Sequence, residues 1–313
     1  MIKVYKTDDH IVHEKTAPEA GAWIQLIQPT VNECKLIAEQ LQMDVDDILT
    51  ILDEEERARI EFEDNYTLII VDIPTSDIRH AKSTYTTIPL GIILTDNLIV
   101  TVCTKDTPIL QRFARGRVRD FSTKKKMRFV YQMLFFISSF YQMNLRTIDK
   151  KRSEIEERFL GDAEEVDLIE LHELSSTLVY FATSLRANGV VLERISRTRK
   201  LEQFDEDVDL LEDVIIENQQ AIEMTNIYQN IINGTRELIS SINDNRLNNV
   251  MKYLTSITIV MAIPTVISGF YGMNVDAKWM PFASVAHGFG IICGLTIVIC
   301  GITMLVLKKK KMM

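Results

Sequence analysis

The sequence predicts an α+β cytoplasmic domain followed by long α-helices and two transmembrane helices. Three observations carry that reading. Strand-like runs rich in Ile, Val, Leu and Thr are confined to residues 1–105. Beyond Asp106 the chain turns to long stretches with few Gly or Pro, the pattern of helices. Residues 253–275 then contain no Asp, Glu, Lys or Arg, 23 residues in all. A bilayer core needs ~20 helical residues. A second uncharged stretch runs from Trp279 to Leu307.

In chain order, strands are expected at Ile2–Lys6, Ala22–Gln28, Arg57–Phe62, Tyr66–Ile73, Thr87–Thr95 and Leu98–Thr104. Asp96-Asn97 is a tight-turn signal that makes the last two a hairpin. Two helices interrupt the strands, at about Thr30–Leu41 and Asp44–Leu52. Thr30 is the N-cap of the first, and Glu33 completes a capping box. Three long helices follow, over about 123–160, 165–201 and 205–271, broken at Gly161 and around Gln203–Asp205. The last would span ~100 Å at 1.5 Å per residue. A lone helix of that length is unstable and must pack along others. Its stripe Leu211, Val214, Ile215, Ile222, Ile231, Leu238 and Ile242 suits helix packing or oligomer contact. The division expected is 1–122 as an α/β domain, 123–252 as a helical region with the stalk, and 253–313 as a membrane domain. Its spans fall at about 253–273 and 284–307.

Only Asp276, Ala277 and Lys278 separate the two uncharged stretches, and Lys308 to Lys311 follow the second directly. The positive-inside rule places that basic block in the cytoplasm. Two spans put both termini on that side, and the first residues lack the apolar region of a signal peptide. The expected location is the cell membrane, with the lipid bilayer as a partner.

Setting aside residues 253–313 leaves 30 basic and 43 acidic residues, a net charge of −13. Such a field attracts cations and repels nucleic acid. The basic run from Arg112 to Arg128 has no aromatic platform beside it, so it reads as a solvated surface near anionic lipid or the acidic stalk. Cys34, Cys103, Cys293 and Cys300 have no CxxC spacing and read as reduced, structural residues. His10 and His13 fall in an expected loop without partner ligands. No nucleophile–base–acid set, Walker A sequence or intramembrane carboxylate is present, so no enzyme and no proton relay is expected.

Asn248, Met251, Leu254 or Thr255, Thr258, Ala262, Thr265 and Gly269 recur at three or four residues, forming one helical face that ends near Asn274. Small and hydroxyl residues at that spacing also serve plain helix packing. Two spans cannot enclose an aqueous path, so conduction would require several copies around an axis.

The segment Val250-Met251-Lys252-Tyr253-Leu254-Thr255, then Pro264, then Gly269-Phe270-Tyr271-Gly272-Met273-Asn274, resembles the CorA family of divalent-cation channels. Asp46-Asp47-Ile48-Leu49, Arg59-Ile60-Glu61-Phe62 and Asn65-Tyr66 are similar to the family's soluble-domain signature. The resemblance covers nearly the whole chain. It implies a funnel-shaped homopentamer that takes up Mg²⁺, with Co²⁺ or Ni²⁺ as further cargo. The implied filter is Gly272, Met273 and Asn274. The implied pore lining is Asn248, Met251, Leu254, Thr258, Ala262, Thr265 and Gly269. Pro264 stands one residue closer to the motif than the family's proline, which leaves Ala262 or Ile263 facing the pore. Hydrated Mg²⁺ gives up water reluctantly, and a ring of Asn274 carboxamides accepts hydrogen bonds from its shell.

By the same resemblance, Asp47 meets Glu237 of a neighbouring subunit, and Asp46 with Asp213 forms a second pair. Crowded carboxylates repel and a divalent ion relieves them, so regulatory Mg²⁺ is expected there. The remaining acids from Glu202 to Glu217 read as a solvated face. Two other functions stand beside this one: a Zn²⁺ transporter of the same fold, and a membrane-anchored helical signalling scaffold that conducts nothing.

Overall fold

A computed structural model of the chain describes residues 1–9, 11–79, 82–161, 165–198, 205–276, 278, 280–282, 285–310 and 312. His10 and Glu202, two residues weighed above, lie outside this set. The chain divides into two compact units, Met1–Thr235 and Arg236–Met313.

The first unit is built on a seven-stranded mixed sheet. Its strands are β1 (Ile2–Asp8), β2 (Ile11–Lys15), β3 (Trp23–Ile27), β4 (Arg59–Phe62), β5 (Tyr66–Arg79), β6 (Lys82–Thr95) and β7 (Ile99–Cys103). Their spatial order is β2-β1-β3-β7-β6-β5-β4. Only β3 and β7 pair in parallel among these neighbours; the other pairs are antiparallel. All five residues of β7 are buried, as a central strand covered on both faces must be.

Helices α1 (Val31–Leu41) and α2 (Val45–Thr50) cover one face. Cys34, Ile37, Ala38, Ile48 and Ile51 pack there on Ile24, Leu26, Leu68, Ile70, Val100 and Val102. The capping box forms as expected: Thr30 Oγ1 accepts from Glu33 N–H, and Glu33 Oε2 accepts from Thr30 N–H. Asp44 caps α2 by accepting from Asp46 N–H at 3.0 Å. Gly91 on β6 lies under Ile51, and a Cβ there would fall 2.2 Å from Ile51 Cδ1.

The other face holds an aromatic cluster beneath α3 (Pro108–Ala114), α4 (Lys126–Gly161) and α5 (Glu165–Arg197). Trp23 stacks edge-on to Phe129 at 5.1 Å, and Phe121 lies 4.6 Å from Phe129. The buried Trp23 indole needs an acceptor and finds Thr101 Oγ1 at 2.9 Å. Thr7 and Thr123 exchange N–H to hydroxyl bonds at 3.1 and 2.9 Å, which pins the chain entering α4 to β1.

Several expectations change. β2 contains His13, paired with Lys6 across the ladder, so that histidine is not in a loop. Its five residues, Ile-Val-His-Glu-Lys at a sheet edge, show no period-two alternation and so give little strand signal. α3 is short, and its Pro108 at the first turn reads as a loop signal although proline is favoured there. β5 and β6 are each 14 residues, longer than expected: β5 runs on through Pro74, which looks like a strand breaker, and β6 begins at Lys82 rather than Thr87. The hairpin at Asp96-Asn97 does form between β6 and β7.

Helix α6 (Asp205–Tyr271) contributes its first part to this unit. Its buried positions there are Asp207, Leu211, Val214, Asn218, Ala221, Thr225, Ile232 and Thr235. The spacing is that of a packed helix seam, but most of its members are small or polar. Ile215 and Ile231 from the expected stripe are instead exposed. Leu211 and Val214 of that stripe are buried, so hydrophobicity located only part of the face that packs within this unit. Asn218 donates to the Leu185 carbonyl at 3.1 Å, and Gln142 donates to the Glu217 carbonyl at 3.1 Å.

β4 begins at Arg59 opposite Ile70, which leaves the Asp72 peptide groups beyond its reach. Asn188 on α5 closes that edge: its Oδ1 accepts from Asp72 N–H and its Nδ2 donates to Asp72 C=O, both at 2.8 Å. Tyr141 OH donates to the same carbonyl at 3.1 Å. The Asp72 carboxyl sits among these groups, and burial raises its pKa from 3.8 to about 6 against the opposing bond from Ser184. A raised carboxyl pKa stabilises the fold below the unfolded value, and that contribution is lost as pH rises through the folded value. Asp72→Asn should therefore gain stability over the parent chain between about pH 4 and 6 and hold the gain at neutral pH. A shift of this size corresponds to at most about 3 kcal/mol. Thermal unfolding of both chains from pH 4.5 to 8 checks this; parallel pH profiles would contradict it.

Candidate functional site

The second unit holds the end of α6 and α7 (Gly288–Lys309). Both helices are long and apolar enough to cross a membrane, and only 6% of each apolar window is buried. They are not core helices of a soluble protein.

Along α6, Lys252, Ser256, Val260, Ile263, Ile267 and Tyr271 are the half-buried or buried positions. They recur at three and four residues, one face of a helix. On α7 the matching set is Ile292, Thr296, Cys300, Thr303 and Leu307. The two helices touch along these faces, where Cys300 Sγ reaches Val260 C=O at 3.7 Å, and Ser256 Oγ donates at 2.7 Å to the C=O of Met312, in the coil just beyond α7.

The candidate pore residues lie on the opposite side. Thr258, Ala262, Thr265 and Gly269 each stand two residues beyond a seam residue, about 200° of turn at 3.6 residues per turn. All four are exposed, as are Asn248, Met251 and Leu254. Ile257, Thr258, Met261, Ala262, Thr265 and Val266 line an open groove of about 390 Å³ on this side. Thr258 Oγ1 donates to Leu254 C=O at 2.9 Å, and Thr265 Oγ1 to Met261 C=O at 3.0 Å. Each hydroxyl proton is thus spent on its own helix, and the oxygen offers only acceptor lone pairs outward. Ile263, the alternative to Ala262, is half-buried on the α7 side.

α6 ends at Tyr271, and the motif follows as turn and coil. Gly272 N–H donates to Ser268 C=O at 2.9 Å. Its backbone does not adopt the left-handed region. A Cβ at this position would lie 3.3 Å from the Ser268 carbonyl oxygen. Close approach to the last helical turn, not φ freedom, is what favours glycine here. Asn274 is exposed, and no described residue bonds its carboxamide. Tyr271 OH donates to Pro281 C=O at 2.5 Å and ties the helix end to the following loop.

The four candidate regulatory acids are distributed over both units. Asp46 is exposed and Asp47 half-buried, both in the first turn of α2. Asp213 and Glu237 are exposed on α6. The structure adds Tyr66, whose hydroxyl donates to Asp47 Oδ2. Burial and then this bond push the Tyr66 phenol well above its ordinary range. No group of three or more His, Cys, Asp or Glu gathers to hold a metal among the described residues.

One member of the acidic run behaves differently from a solvated face. Asp207 is buried and accepts from Arg128 Nε at 2.9 Å. Residue type could not separate this acid from its neighbours, because only the docking of α4 against α6 buries it.

Comparisons with known proteins bear on the whole chain. Residues 18–309 match the family model described as CorA-like Mg2+ transporter protein. A cobalt/magnesium transport protein CorA from Methanocaldococcus jannaschii is 28% identical over 286 residues, covering 88% of this chain and 86% of that one. The protein of the same description from Thermotoga maritima is 26% identical over 269 residues, covering 83% of this chain and 74% of that one. The solved structure of the CorA magnesium transporter from Methanocaldococcus jannaschii aligns with a TM-score of 0.85 at 25% identity, over 98% of this chain and 96% of that one.

Proposed function

The chain belongs to the CorA-like Mg²⁺ transporter family, and from that premise we propose that it is a passive, potential-driven channel for hydrated Mg²⁺. Five copies surround one axis, with the open face of α6 lining the path and both termini in the cytoplasm. Co²⁺ is a second cargo, supported by the description of the two relatives as cobalt/magnesium transport proteins.

The observation that carries this reading is the two-sidedness of α6. One side meets α7, while the other is uncovered and ends at a free Asn274 carboxamide. Thr258 and Thr265 offer outward lone pairs along it. Hydrated Mg²⁺ presents water hydrogens to its surroundings, so a path of acceptors matches it without stripping the shell. A carboxylate ring would hold the ion more tightly and release it more slowly, whereas conduction needs entry and exit. Ala262 faces the path where the family's narrow residue stands, and Leu254 forms the apolar constriction.

A potential of 100 mV gives a divalent ion ~4.6 kcal/mol on entry, an accumulation on the order of 10³-fold. Such a path requires a gate. Asp47 and Glu237 of neighbouring subunits bind cytoplasmic Mg²⁺, with Asp46 and Asp213 as the second pair. Since each subunit supplies only part of each site, a single chain need gather no complete ligand set. Tyr66 positions the Asp47 carboxylate by donating to one of its oxygens. With Mg²⁺ bound the ring stays closed; without it the acids repel, and the constriction wets.

The direct test is ion flux into liposomes carrying an inside-negative potential, with a pH dye alongside. Mg²⁺ should enter without proton movement, and Asn274→Ala should reduce entry to background while the oligomer stays assembled. Parent-level flux in an assembled Asn274→Ala protein would reduce that residue to a loop cap.

Native mass spectrometry in detergent should report five copies. A monomer or dimer that still conducts would overturn the shared-axis path.

Asp47→Asn combined with Glu237→Gln should conduct yet resist inhibition by internal Mg²⁺, raising the half-inhibiting concentration about tenfold or more, since five sites contribute to closing. It should also lose the protection from proteolysis that Mg²⁺ gives. Closure at the parent concentration would move the sensor to other acids.

A further inference from the structure

Pro264 lies inside α6. A proline has no N–H, so the carbonyl four residues earlier loses its helical donor. That carbonyl belongs to Val260, which is half-buried on the side of α6 that meets α7. In hydrocarbon no water can replace the lost bond, and an unpaired backbone carbonyl is costly. Across the seam, Cys300 on α7 brings its Sγ to 3.7 Å from the Val260 oxygen. A thiol is a weak donor, and 3.7 Å is a reasonable reach for sulfur, whose radius exceeds that of oxygen.

Two further features support a dedicated contact. Cys300 is a free thiol, half-buried within the seam, with Thr296 and Thr303 on the same side of α7. The hydroxyls nearest in sequence to Pro264 are committed elsewhere: Thr265 bonds Met261 C=O and Ser268 bonds Thr265 C=O. Neither of those bonds reaches the Val260 carbonyl.

We propose that Cys300 is a positioning residue of the first span: its thiol replaces the donor that Pro264 removes, and so sets the seat of α6 on α7 at the level of the proline. The consequence for conduction rests on the pore reading, because the seat determines which way Thr258 and Ala262 point. The contact itself does not depend on that reading.

The test is a cycle of variants in the full-length protein: Cys300→Ala, Cys300→Ser, Pro264→Ala and the pair Pro264→Ala with Cys300→Ala. Two readouts are taken, equilibrium unfolding in detergent and the internal Mg²⁺ concentration that halves flux. Cys300→Ala should lower the unfolding equilibrium stability about threefold, the size of an average hydrogen bond between membrane helices. It should raise the half-inhibiting Mg²⁺ by a similar factor. Cys300→Ser keeps a donor and should restore both values. In the Pro264→Ala background the residue 264 N–H returns to the Val260 carbonyl, and Cys300→Ala should then have no further effect. An equal loss in both backgrounds, or a serine that behaves like alanine, would overturn the proposal. If the parent protein passes no ion, the pore reading fails, while the unfolding cycle still decides the contact.

Discussion

A buried or lipid-facing peptide group must find a partner inside the protein, and much of this structure answers to that constraint. Removing a hydrogen bond from such a group costs more than making one gains, since desolvation is not repaid. At the sheet edge, where β4 stops short of Asp72, the Asn188 amide supplies both missing bonds. At the start of α1, Thr30 and Glu33 satisfy each other's backbone. Between the two spans, the Val260 carbonyl opposite the gap left by Pro264 meets a thiol from α7. In each place an ordinary ladder is interrupted and a side chain completes it.

The same constraint divides the faces of α6. Within the second unit, one side carries the residues that meet α7, and the hydroxyls of the other side bond back to their own helix. Back-bonding lets a threonine stand in an apolar segment without an unsatisfied proton. It also leaves oxygen lone pairs outward, which is the polarity that a hydrated cation needs. Packing and proposed conduction therefore draw on opposite sides of one helix, and a change on the α7 side would reach the other by rotating it.

Acidic residues outnumber basic ones, 44 to 35, yet their environments differ widely. Asp207 is buried against Arg128. Asp72 is pushed up to about 6 by burial. Asp47 takes a phenol hydrogen bond from Tyr66. Asp46, Asp213 and Glu237 stay exposed, the condition in which a carboxylate is accessible to a divalent ion. A net negative field draws cations to the whole surface, but only acids held near one another and open to solvent can respond to how much Mg²⁺ is present.

Much was legible without coordinates. Hydrophobic run length, turn residues and the capping box located most strands of the sheet, both first helices and the two apolar spans, because each depends on neighbours in sequence. The motif from Tyr271 to Asn274 and the tail of lysines were visible for the same reason. Tertiary structure decided what depends on partners distant in the chain. It showed that the buried stripe of α6 runs through Asn218, Ala221 and Thr225 and leaves Ile215 and Ile231 exposed. It put Ile263 on the α7 side and Ala262 on the open side, a choice that periodicity left undecided. It paired Tyr66 with Asp47, Arg128 with Asp207 and Cys300 with Val260, residues separated by 19, 79 and 40 positions. Local patterns determine which segments form helices and strands; which faces meet, and which polar groups find each other, is set only when those segments pack.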